Sequence, residues 1–189
     1  MKEFRIVSLP MKKINIHQMI LVSLFAALTA VGAFISIPIG LVPISLQNLF
    51  TLLSGMVLGS RMGTFSQLIY ILLGVAGLPV FSGFRAGLGV ILGPTGGFLT
   101  GFVISTYIVG KILEKIADAR VWSYFVAGIV GIIIIYTCGI MQLLIVTQIG
   151  LKEAVLIGIV PFLPGDFIKL ITASFLAIRI KSVVSLPQV

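Results

Sequence analysis

Long apolar runs alternate along this chain with short clusters of glycine, proline and charge, and their spacing predicts six membrane-crossing helices. A bilayer core about 30 Å thick takes about 20 residues of helix. The runs are Gln18 to Ile37, Leu46 to Leu58, Gly63 to Val80, Gly96 to Leu113, Trp122 to Val146 and Val160 to Ile180. The second is short and reads as a tilted or partly re-entrant segment. Turn formers separate the runs: Pro38, Gly40 and Pro43; Gly59 and Gly63; Pro79 with Gly83; Gly93 and Pro94; Pro161 and Pro164. The longest polar connections, Glu114 to Arg120 and Gly150 to Glu153, leave no room for a soluble domain, and no internal repeat occurs. Residues 1–189 therefore read as one all-α, six-helix unit with an N-terminal arm at residues 1–17. Apolar sequence continues past Ala26, Ala27 and Ala30 to Ile37, which favours a retained first helix over a cleaved signal peptide.

Composition sharpens this picture. The chain is 59% hydrophobic and 10% charged with a mean hydropathy of +1.24, whereas a soluble domain carries about 25% charged residues. It is expected to be an integral membrane protein. The net charge of +8 is not gathered into a basic, aromatic-studded face, so nucleic acid is not an expected partner. With six spans both termini share one side. Lys2, Arg5, Lys12, Lys13, Arg61, Lys111, Lys115, Arg120, Arg179 and Lys181 fall on it, against Arg85 and Lys152 on the other. The positive-inside bias then puts both termini in the cytoplasm of a multi-pass cell-membrane protein. A single Cys138 and a single His17 support neither a disulfide framework nor a metal centre, so no cofactor is expected in this chain.

The chemistry concentrates in the sixth run. Asp166 and Lys169 are the only acid and base between Val155 and Ile178, three residues apart on one helical face. A charge at membrane depth costs at least about 2.5 to 3.5 kcal/mol, so such residues usually face a cavity or a partner. Because burying an ion pair merely to brace helices is seldom a net gain, binding is the favoured reading. In the predicted topology the pair lies roughly 7 and 12 Å along the helix from its outer end at Pro161, where Pro164 and Gly165 start or kink the helix. Gln47, Asn48 and Gln142, also predicted near the outer side, can donate and accept hydrogen bonds to an amide-like ligand. The external loop from Phe81 to Gly97, with glycines that include Gly87 and Gly89, reads as a lid whose Arg85 offers a fork to a carboxylate. Phe81, Phe84, Tyr136 and Phe162 are candidate apolar walls. Ala26 and Ala30, extended by Ser23 and Ala33, form a small-residue stripe suited to helix docking. Gly93-Pro94-Thr95-Gly96-Gly97 lacks the Gly-Lys-Ser/Thr of a nucleotide loop, so any energy from ATP must enter through another subunit.

Several blocks occur in order from the first run to the sixth: Val42-Pro43-Ile44-Ser45-Leu46-Gln47-Asn48-Leu49-Phe50, Gly59-Ser60-Arg61-Met62-Gly63, Gly77-Leu78-Pro79-Val80-Phe81, Gly93-Pro94-Thr95-Gly96-Gly97-Phe98, and Pro161-Phe162-Leu163-Pro164-Gly165-Asp166-Phe167-Ile168-Lys169. Together they closely resemble the BioY family, the biotin-specific S components of energy-coupling factor (ECF) transporters. The resemblance implies a six-helix S-component fold with a biotin pocket in its outer half. It also implies a partner module of two ATPases and one transmembrane coupling subunit, with Ala26 and Ala30 at the contact, and a toppling motion on docking. Asp166 and Lys169 match the family's Pro-Gly-Asp-x-x-Lys block and take its binding role. Leu46-Gln47-Asn48 stands where the family often has Leu-Gln-Thr, and Arg85 lies in a variable part of the loop.

Biotin suits these residues, since its ureido group has two N–H donors and one carbonyl and its tail ends in a carboxylate. In one pose Asp166 accepts a ureido N–H, Lys169 neutralises Asp166 or bonds the ureido oxygen, and Arg85 meets the carboxylate. The reverse pose, with Lys169 on the carboxylate, satisfies the same charges. Two rival functions are weaker. Intramembrane proteolysis needs paired carboxylates or a positioned base, and Asp166 has neither beside it in sequence. An autonomous secondary transporter for a small carboxylated solute would ordinarily show inverted repeats or an ionisable relay.

Overall fold

Lipid offers the backbone no hydrogen-bond partner, so apolar runs of this length satisfy their own N–H and C=O groups as helices. The structure, a computed structural model, describes residues 15–38 and 41–183. Among these it has α1 (Ile16–Phe34), α2 (Gln47–Val75), α3 (Leu88–Leu92), α4 (Gly96–Glu114), α5 (Val121–Thr147), α6 (Leu151–Gly158) and α7 (Leu163–Val183). A short antiparallel ribbon joins β1 (Ser36–Ile37) to β2 (Ile44–Ser45), with Ser36 opposite Ser45. Most of the arm read at residues 1–17, with Lys2, Arg5, Lys12 and Lys13, lies outside the described residues.

A straight α2 would be about 44 Å long. It is instead two antiparallel arms, 47–58 and 60–75, hinged at Gly59, whose φ of 79° and ψ of −176° are open to glycine at little cost. Gln47 Nε2 donates to the Tyr70 hydroxyl at 2.5 Å, Thr51 Oγ1 to Gln67 Oε1 at 3.2 Å, and Gln67 Nε2 to Ser54 Oγ at 3.2 Å. Residues so far apart in sequence meet only if the chain doubles back. The turn is held from α4: the Ser60 N–H and hydroxyl both donate to Glu114 Oε1 at 2.7 Å, satisfying a backbone donor left open at the start of the second arm. The first arm matches the second apolar run, whereas the second arm ends at Val75, short of the third run's expected end at Val80, because the chain turns at Ala76 and Gly77.

By length and hydropathy α1, α2, α4 and α5 each suffice to cross a membrane, and α6 with α7, bent by 51° at their junction, form a further broken segment. The sequence reading of one helix from Val160 to Ile180, after a polar connection at Gly150 to Glu153, is corrected here. Residues 151–158 are already helical, and the chain then breaks around Pro161 before α7 begins. Pro164 sits in the first turn of α7, where a missing N–H costs nothing.

Two apolar clusters fill the interior. One gathers Phe25, Leu52, Met56, Val109, Tyr124 and Leu170 toward the Gly59 turn. The other gathers Tyr70, Phe81, Phe98, Phe102, Tyr136 and Phe162 toward the loops at the opposite end. The outside of the helices remains apolar, with Leu72, Ile133, Ile145, Phe167, Ile168 and Phe175 exposed, as a lipid-facing surface requires.

Candidate functional site

The second cluster is hollow. Its cavity is narrow, about 50 Å³ in volume. Val42, Pro43 and Ser45 come from the ribbon region, Gln47 and Asn48 from the start of α2, and Phe81, Ser82 and Arg85 from the following loop. Val90, Thr95, Phe98, Leu99 and Phe102 line it from α3 and α4, and Tyr136 and Phe162 close the far side. Most of this wall is apolar, so the few polar groups in it decide what it can hold.

Asp166 and Lys169 stand behind that wall rather than in it. Asp166 is 1% exposed and Lys169 7%, and Lys169 Nζ lies 2.8 Å from Asp166 Oδ1. The other carboxylate oxygen, Oδ2, accepts from Asn48 Nδ2 at 2.7 Å and from the Tyr136 hydroxyl at 2.7 Å. Both of those donors line the cavity. The break before α7 sets Asp166 in the helix's first turn, where the dipole favours a negative charge, and its own N–H bonds the Phe162 carbonyl at 2.8 Å. A carboxylate accepts only, so it fixes how its neighbours face. Asn48 must turn its NH₂ toward Asp166, leaving Oδ1 and the second N–H of Nδ2 as its remaining hydrogen-bonding capacity. Tyr136 spends its proton on Asp166 and keeps only lone pairs. This end of the cavity therefore presents more acceptors than donors, and it suits a ligand with N–H or O–H donors.

The remaining predicted residues divide. Gln47 lines the cavity, but its amide is engaged, donating to Tyr70 and accepting from Ser45 Oγ at 2.9 Å. Arg85 is exposed and lines the mouth, with Nε donating to the Ser82 carbonyl at 3.1 Å. Phe81 is 1% exposed beneath α2, against Gly74, where a Cβ would fall 2.1 Å from its ring. Phe84 lies outside the lining and stacks on Phe34 with centroids 4.8 Å apart. Gly87 anchors the loop through its N–H to the Gly74 carbonyl at 2.7 Å, whereas Gly89 lies in a shallow depression beside the mouth. Gln142 is not in the lining: its Nε2 holds the Ile91 and Gly93 carbonyls at 2.6 and 2.8 Å, tying α5 to the loop. Phe162 is a wall as expected, while Tyr136 is both a wall and a donor to Asp166. Ala26 is 2% exposed and packed inside, and Ala30 is half-buried beside it, so the small-residue stripe is largely used within the chain. Ser82 and Thr95 also line the cavity and were not singled out from sequence. A serine in a glycine-rich loop carries no periodic signal, although Thr95 stands within the Gly-Pro-Thr-Gly-Gly block.

The chain is 42% identical over 165 residues to the biotin transporter BioY of Thermotoga maritima, covering 87% of this chain and 96% of that one. It is 42% identical over 161 residues to the probable biotin transporter BioY of Pyrococcus horikoshii, covering 85% and 94%. A crystal structure of the S component for biotin from an ECF-type ABC transporter superposes with a TM-score of 0.82 at 27% identity, covering 88% of this chain and 91% of that one. Residues 8–186 match the BioY family throughout, and the chain belongs to that family.

Proposed function

We propose that this protein is the biotin-capturing S subunit of an ECF transporter. It takes biotin from outside the cell into the cavity and delivers it inward when docked on a module of two ATPases and one transmembrane coupling subunit. The observation that carries this reading is the buried Asp166–Lys169 pair, joined through Asn48 and Tyr136 to the wall of the cavity. In this reading the ureido N–H groups of biotin bond Asn48 Oδ1 and the Tyr136 oxygen. Asp166 acts by orienting both, and Lys169 keeps its charge compensated. The pose with Lys169 on the carboxylate is disfavoured, because Lys169 lies behind the wall with Asp166.

Counting α2 as two passes and α6 with α7 as one gives six crossings of the cell membrane, with both termini on one side. Arg61, Lys111, Lys115, Arg120, Arg179 and Lys181 then lie at the end opposite the cavity, and Arg85 and Lys152 at the cavity end, which supports cytoplasmic termini. On α1, Ser23 and Ala27 are exposed and Ala30 half-buried, so the coupling subunit would meet this edge rather than Ala26.

Binding of radiolabelled biotin to purified protein tests the proposal. Tight binding is expected, and Asp166→Asn or Lys169→Met should each weaken it by roughly 2 to 5 kcal/mol, because each leaves a buried charge uncompensated. Wild-type protein that fails to retain biotin, or variants that bind it unchanged, would refute the assignment.

A further inference from the structure

The narrow cavity has a broader neighbour. Beside its mouth lies an open depression of about 290 Å³, lined by Arg85, Ala86, Gly89, Val90, Gly93 and Thr95 among others. Arg85, Val90 and Thr95 line both spaces, so the two adjoin at these residues. The capture of biotin in the cavity leaves the second space unused.

The floor of the depression is held in place. It runs through α3 to the start of α4, and Gln142 of α5 donates to the Ile91 and Gly93 carbonyls at 2.6 and 2.8 Å, which fixes it to the helix bundle. Gly93 has no room for a side chain, since a Cβ would stand 2.8 Å from the Gly89 carbonyl oxygen. Gly89 differs: a Cβ there meets nothing within 4 Å. A larger residue at 89 would occupy space that glycine leaves open.

The groups where the two spaces join decide what can pass from one to the other. Thr95 stands at the N-cap of α4, where a threonine hydroxyl ordinarily bonds a backbone N–H, yet its side chain makes no cap hydrogen bond and the residue is only 9% exposed. That hydroxyl keeps a proton to donate and lone pairs to accept with. Arg85 commits Nε to the Ser82 carbonyl, which leaves its terminal N–H groups for an oxygen acceptor. An amide, with one C=O and one N–H, matches a hydroxyl that both donates and accepts. Beyond it, Ala86, Val90 and Pro94 offer mainly apolar surface to whatever the amide carries.

With the ureido group at Asn48 and Tyr136, the tail of biotin runs toward the mouth, where Arg85 and Thr95 stand. Resting on that reading, we propose that the depression receives the alkyl part of biotin amides, with the amide at Thr95 and Arg85 and an unbranched chain lying over Gly89. The four-carbon stem of a lysine side chain ends in an amine of this kind, so biotin joined through its tail to lysine falls within the class. The protein then captures amide conjugates of biotin as well as the free acid.

The test is equilibrium binding of biotin, its N-methyl amide and its N-pentyl amide to the purified full chain, to Gly89→Leu and to Ala86→Leu, whose exposed Ala86 lines only the depression. Ligand-free thermal unfolding of each protein accompanies it. Wild type should bind the pentyl amide roughly five- to twentyfold more tightly than the methyl amide, because the added methylenes leave water. Either variant should bring the two amides within about twofold of each other and leave biotin itself within about twofold of wild type, since leucine takes the place of the chain. Gly89→Leu should melt no lower than wild type, because leucine favours a helix more than glycine does; if it melts lower, Ala86→Leu decides. A pentyl amide no tighter than the methyl amide in wild type, a pentyl advantage that the variants keep in full because the chain lies in detergent or lipid, or an equal loss of biotin affinity would each overturn the assignment while leaving the biotin reading intact. Wild type that binds none of the ligands defeats the biotin reading, and this inference falls with it.

Discussion

Two buried polar clusters in this protein differ in one respect that separates bracing from recognition. The first centres on Gln67, fully buried in the second arm of α2. Its Nε2 stands 3.2 Å from Thr29 Oγ1, Ser54 Oγ and Ser66 Oγ, and its Oε1 accepts from Thr51 Oγ1. Those hydroxyls are themselves satisfied, Thr29 on the Phe25 carbonyl at 2.9 Å, Ser54 on Thr51 at 2.8 Å and Ser66 on Gly63 at 2.7 Å. The cluster ties α1 to both arms of α2, and none of its residues lines the cavity. The second centres on Asp166. It is charged, it draws donors from α2, α5 and α7, and it leaves Asn48 Oδ1 and the Tyr136 lone pairs facing a cavity. A network that closes on itself holds helices together; one with directed capacity left over can hold a ligand.

The largest effect should come from taking the charged cluster apart. Asp166→Asn or Lys169→Met alone is expected to cost roughly 3 to 5 kcal/mol of stability, because each strands the other buried charge. The double variant should recover most of that loss in thermal melts and still fail to bind biotin. A double variant as unstable as the sum of the singles would mean that the two charges do not compensate each other. Gln67→Leu sharpens the contrast from the other side. It leaves the Thr51 hydroxyl without its acceptor and severs the links to Thr29 and Ser54, for a stability loss of about 1 to 3 kcal/mol. Biotin affinity per folded molecule should not change. A drop in affinity comparable to that of Asp166→Asn would erase the distinction between the clusters.

What the sequence revealed follows the same division. The apolar runs were legible because lipid imposes both a length and a helix on them, and the turn at Gly59 because a glycine-flanked break splits two runs. Asp166 and Lys169 were legible because two charges in an apolar stretch have few explanations. Gln67 carries a weaker version of that signal and was overlooked, although it is a polar residue deep in the run from Gly63 to Val80. The ribbon and α3 are too short for any periodicity to show. Amides were the most ambiguous: Gln47, Asn48 and Gln142 can each donate and accept, and only tertiary contacts send one to a tyrosine, one to a carboxylate 118 residues away and one to loop carbonyls. Tyr136 was read for its ring, yet its hydroxyl bonds the carboxylate; Ala26 was read as an outer contact, yet it packs inward. Patterns report which face is apolar, but not which neighbour that face meets.

The smallest expected effect tests the mouth of the cavity against its buried end. Arg85 is exposed, so solvent screens its attraction for a carboxylate, and Arg85→Ala should weaken biotin by only about three- to tenfold, with no measurable change in stability. The informative quantity is the ratio of affinities for biotin and for its tail amide, compared between wild type and Arg85→Ala. If the guanidinium meets the carboxylate, wild type prefers the acid and the variant loses most of that preference. An unchanged ratio excludes Arg85 as the partner.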